Sequence, residues 1–160
     1  MRYLIKFNES FGDDVKDDIS DMFLELGDDG FKVSIMPGVS PKLNVTKPSY
    51  NTKNPILINI YKPDTRPYHT LSNFVMGDIY EYIERLYNYY KSNFNISVKI
   101  IIAGDDWNYR LQKTFPNLSD WEWSKTKDMF MNGYQLRDGL TINKKTLIST
   151  LLITMVEIKL

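Results

Sequence analysis

Apolar and polar residues alternate in RYLIKF (2–7), so Tyr3, Ile5 and Phe7 share one face of a predicted strand. The period then changes. In DDVKDDISDMFLEL (13–26), Val15, Ile19, Met22, Phe23 and Leu26 fall on one stripe of a predicted helix. Its acids crowd the N-terminal half, where they complement the helix dipole, and Gly27 and Gly30 stop it. Alternation returns in FKVSIM (31–36), with Phe31, Val33 and Ile35 inward, and ILINIY (56–61) is the next strand. Between them, residues 37–55 hold four prolines and no acid, which predicts a long loop. A second helical stripe runs through Leu71, Val75, Ile79, Tyr82, Ile83, Leu86 and Tyr90, with Pro67 suited to its first turn. ISVKIIIA (96–103) is apolar enough for a central strand.

This order, β-α-β-β-α-β, predicts an α+β fold of the ferredoxin-like split βαβ kind, with two helices on one face of an antiparallel sheet. The 160 residues make a single domain, with a core over 1–103 and a C-terminal extension over 104–160. In the extension, SDWE (119–122) has capping-box form and predicts a helix over 120–131, while the alternation of Trp121 and Trp123 equally permits a strand. YQLRDGLTI (134–142) carries Asp-Gly between β-like runs, a hairpin signal, and TLLITMVEIKL reads as a closing strand.

Composition narrows the function classes. Twenty basic and twenty acidic residues cancel, so no global field draws the chain to nucleic acid or an anionic membrane. Locally the charge is uneven: residues 1–30 carry nine acids and three bases, and residues 31–66 six bases and one acid. Such asymmetry suits head-to-tail association or an acidic partner. The absence of cysteine excludes disulfides, zinc fingers and thiol catalysis. No stretch is long and apolar enough for a membrane span, and the N-terminus does not read as a signal peptide. The expected setting is the cytoplasm of a bacterial host, or a virion.

Few residues carry candidate chemistry. Gly104-Asp105-Asp106 follows a strand, as metal-binding carboxylates do in some polymerases. The same tripeptide opens one predicted helix at 12–14 and closes it at 27–29, so it serves here as punctuation. Asp105 and Asp106 remain the metal candidates. His69 is the only histidine, so paired-histidine chemistry is excluded. Lys62, Arg66, His69 and Thr70 gather at the predicted start of the long helix, where backbone N–H groups would favour a phosphate or nucleotide. Tyr80, Tyr87 and Tyr89, with Trp107, Trp121 and Trp123, supply large amphipathic side chains suited to a protein interface. The RNA-binding pattern of ferredoxin-like modules is missing from the strands, so nucleic acid is not an expected partner. No cofactor is expected.

MRYLIKFNESF followed by DDVKDDISDMFLELGDDGF resembles the start of many small accessory proteins of large tailed phages with low-GC genomes. One alanine in the chain and 15 lysines to 5 arginines fit such a coding bias. The resemblance covers residues 1–35 and implies no catalytic residue. It implies a phage accessory protein, of the virion or directed at the host. The expected function is a non-enzymatic module that binds a protein partner or itself. A nucleotide- or anion-binding protein, such as a sponge for host-defence signals, and a metal-dependent enzyme stay open as alternatives.

Overall fold

The acidic stripe folds as two helices, α1 (Asp13–Met22) and α2 (Leu24–Asp28), joined at Phe23. The computed structural model describes residues 13–37, 55–63, 71–102, 118–135 and 141–158. Val15, Ile19, Phe23 and Leu26 are all buried, as their spacing predicts. The end of α2 is a Schellman turn: the Phe31 N–H donates to the Leu26 carbonyl at 3.0 Å, and the Gly30 N–H to Gly27 at 3.1 Å. Gly30 has a φ of 87°, a left-handed conformation open to glycine at no steric cost.

The strands are β1 (Lys32–Pro37), β2 (Ile56–Pro63), β3 (Leu71–Ser72), β4 (Phe74–Val75), β5 (Phe94–Ile102), β6 (Leu118–Glu122), β7 (Tyr134–Gln135), β8 (Thr141–Ile142) and β9 (Leu147–Glu157). The main sheet runs β1-β2-β9-β5-β6 with every neighbour antiparallel; β3 adds to β2 and β4 to β9. The architecture is therefore α+β on an antiparallel sheet. The predicted first strand, 2–7, lies outside the described residues.

The C-terminal stretch has a different place from the one its reading gave it. Rather than closing an extension, β9 is the middle strand, paired with β2 along Ile56–Tyr61 and with β5 along Phe94–Ile102. Its composition explains this. Leu151, Ile153 and Met155 are fully buried on one face, and Thr150, Leu152, Thr154 and Val156 are half-buried on the other. Apolar and β-branched residues on both faces suit a strand flanked on both sides. Ser149 is an extra residue in the ladder, since Ile101 pairs with Thr150 and Ile102 with Ile148. This bulge resets the alternation, so Ile148 and Leu151 both point inward despite their odd spacing.

The long helix, α3 (Met76–Tyr90), begins later than Pro67. Leu71 and Val75 belong to the short strands β3 and β4 instead. The Val75 N–H donates to Asp78 Oδ2 at 3.2 Å, so a carboxylate of the first turn caps the helix. Met76, Ile79, Ile83, Leu86 and Tyr90 form its buried stripe. Both readings of residues 118–131 are realised in succession, because β6 passes at Glu122 into α4 (Trp123–Asn132). Gly133, with φ 81°, ends α4. The predicted hairpin is present, with Tyr134 opposite Ile142 and Gln135 opposite Thr141.

The buried residues of the helices form one cluster with alternate residues of the strands, including Ile58, Ile60, Ile96, Val98 and Ile153. The helices thus cover one face of the sheet. The register aligns the opposite residues into rows on the outer face. One row is Lys32, Tyr61, Thr150 and Ile101; the next is Ser34, Asn59, Leu152 and Lys99; the third is Met36, Leu57, Thr154, Ser97 and Glu122.

Candidate interaction surface

The polar side chains of the helical layer hold α4 and β6 against α3. Trp123 opens α4 and is fully buried, and its Nε1–H donates to Glu84 Oε2 at 2.7 Å. Lys127, one turn on, donates to Glu84 Oε1 at 3.0 Å. The Lys127 ammonium also lies 5.9 Å from the Tyr80 ring centroid, and Tyr80 packs against Trp123 with centroids 5.8 Å apart. Tyr87 donates its hydroxyl hydrogen to Glu122 Oε1 at 3.2 Å. Burial pushes the Glu84 carboxyl up, but the hydrogen bonds from Trp123 and Lys127 and the Lys127 charge outweigh it and hold it below the usual range. The hydrogen bond to Glu84 raises Lys127, and burial followed by the contact with Glu122 raises Tyr87.

This clamp changes the reading of the aromatic residues. Trp123 offers no surface to a partner, which corrects its expected place in an interface; its indole faces the core because β6 turns into α4 there. Tyr80 and Tyr87 are half-buried in the clamp, while Tyr89 is 53% exposed and stacks edge-on against Tyr90. Trp121 pairs through its backbone with Val98, and Trp107 lies outside the described residues. Glu84, Glu122 and Lys127 were not legible as a set, since Glu84 and Lys127 stand 43 residues apart and no local spacing links them.

The expected anion site does not have the helix it was built on. α3 starts at Met76, beyond Thr70, and its first turn already holds the Asp78 carboxylate. Lys62 sits near the end of β2, with its ammonium 5.2 Å from the Phe31 ring centroid. Arg66, His69 and Thr70 lie outside the described residues, as do Asp105 and Asp106. Among the described residues, no three acidic or histidine side chains are placed to hold a metal ion. A cleft of about 230 Å³ lies where β6 stops short of the end of β5, lined by Tyr87, Lys91, Asn95, Ser97 and Glu122 among others. No helix of the described residues is long and apolar enough to cross a membrane.

Two features of the sheet remain available for contact. The first is the outer face, where Leu57, Tyr61, Ile101, Leu152 and Val156 are half-buried and Lys32 and Lys99 are the only lysines in the rows. The second is the outer edge of β1, with Met36 53% exposed. No protein-family model matches the chain, and neither a curated protein nor a solved structure shows significant similarity to it.

Proposed function

We propose that this protein is a non-enzymatic interaction module that assembles with itself or with a protein partner, in the manner of a phage accessory protein. The observation that carries the proposal is the one-sided sheet: the helices cover one face and leave apolar and hydroxyl side chains in register on the other. Sheets with one packed face ordinarily alternate sharply between apolar and polar residues. Here Leu57, Leu152, Ile101 and Val156 replace the expected charges, and half-buried apolar residues on an outer face favour a contact surface. The fold reading that accompanies this is ferredoxin-like in a modified sense. The order β1-β2-β9-β5, with α1 and α2 before β1 and α3 between β2 and β5, matches a split βαβ sheet whose central slot is taken by the C-terminal strand.

Native mass spectrometry of gently purified protein tests the function. A discrete oligomer, or a complex with a co-purified protein, is the expected result. A monomer carrying a few hundred daltons of phosphate-containing ligand would instead establish the nucleotide-binding alternative.

A further inference from the structure

We infer that the outer edge of β1 pairs, antiparallel and about a two-fold axis centred on Ser34, with β1 of a second copy. This rests on the self-assembly reading above and gives it a surface and a register.

The two edges of the sheet differ. Soluble proteins blunt edge strands by shortness, charge, bulges or cover. β6 has such devices: five residues, Asp120 and Glu122 among them, an irregular register against β5, and a direct run into α4. β1 lacks them. It pairs with β2 without a break at all six positions, and its only charge is Lys32 at its start. Among the described residues, no strand lies on its other side.

Its backbone orientation follows from its ends. Pro37 has no N–H, so it sits at a strand position whose nitrogen faces away from the ladder. The Phe31 N–H is likewise turned away from β2, to the Leu26 carbonyl. Alternate residues of a strand face alternate sides, so Val33 and Ile35 present their N–H and C=O groups outward. A two-fold through Ser34 places Val33 opposite Ile35 of the second copy and Ile35 opposite its Val33. About four main-chain hydrogen bonds form. Val33 and Ile35, both partly buried at the margin of the core, then cover one another on the helix side. On the outer face, Met36 of each copy lies against the aliphatic stem of Lys32 of the other. The arrangement is isologous and uses one edge per copy, so it closes as a dimer.

The pairing makes a sharp chemical demand. Ser34 would face its own symmetry mate in a non-hydrogen-bonded pair, with Cα atoms about 4.5 Å apart, within the range a disulfide spans. The chain has no cysteine, so a single introduced thiol is unambiguous. Ser34→Cys should oxidise under copper phenanthroline, the two thiols giving up two protons and two electrons to the oxidant, to a covalent dimer of twice the 18.8 kDa chain. Ser97→Cys, on the outer face but on inner strand β5, should stay monomeric under denaturing conditions. Amide exchange at Val33 and Ile35 in the unmodified protein should slow as concentration rises. An oligomer by native mass spectrometry with no Ser34→Cys cross-link overturns this interface and leaves the self-assembly reading intact. Equal cross-linking of both variants also overturns it. A monomer at every concentration overturns the self-assembly reading with it, and a foreign partner strand then becomes the occupant to seek.

Discussion

Glu84 is the residue on which the helical layer turns. Its carboxylate accepts from a fully buried indole N–H and from an ammonium on the same helix. Glu84→Ala leaves the Trp123 donor buried and unpaired, a penalty of about 2 kcal/mol. Chemical denaturation followed by tryptophan fluorescence should show that loss, whereas Lys127→Met should cost less than about 1 kcal/mol because the ion pair is partly exposed. The same carboxyl gives a pH dependence with a definite sign. Its folded-state pKa is lowered, so the stabilisation is present above the unfolded value of about 4.3 and disappears as pH falls through the folded one. The stability difference between wild type and Glu84→Gln should therefore hold at neutral pH and shrink in acid below about pH 4. A difference that grew in acid would refute the clamp.

At the scale of elements, the bulge in β9 matters more than any single contact. Ser149 occupies the extra position and donates its hydroxyl to the Ile101 carbonyl at 3.2 Å. Deleting Ser149 removes the phase shift and turns Ile148 and everything before it to the opposite face. Ile148 is fully exposed to this change because it now contributes a completely buried side chain and a pairing partner for Phe74 of β4. Losing that burial should cost at least about 2 kcal/mol, read as a lower urea midpoint. Ser149→Ala keeps the spacing and should cost only about 1 kcal/mol.

At the scale of the molecule, the position of β9 sets what can be removed. A chain ending at residue 146 loses the strand between β2 and β5, so the two halves of the sheet have no common neighbour. Such a truncation should abolish cooperative unfolding, measured by circular dichroism, where an appended extension would leave it intact. The proposed dimer adds an electrostatic expectation. α1 and α2 lie against β1 and carry Asp17, Asp18, Asp21, Glu25 and Asp28, so the two-fold brings two acidic surfaces toward each other. Raising ionic strength from about 0.01 M to about 0.15 M shortens the screening length from about 30 Å to about 8 Å and should tighten association. Dissociation on adding salt would argue for a charge-driven contact elsewhere.

Much of the local structure was legible in the sequence because it depends on neighbours in the chain. The stripe Val15, Ile19, Phe23 and Leu26, the stop at Gly30, the alternation of Ile56, Ile58 and Ile60, and the hairpin around Asp138-Gly139 each follow from spacing and backbone preference. The start of α3 was not legible: Leu71 and Val75 fit the helical period, and only their pairing with β2 and β9 made them strand. The sequence by itself therefore determined which residues are apolar, at what period, and so which segments form helices and strands. Tertiary structure alone decided that the last strand lies in the middle of the sheet, that Trp123 belongs to the core, and that Glu84 meets Lys127. These outcomes depend on contacts between residues far apart in the chain, and periodicity carries no information about which distant partner buries a given face.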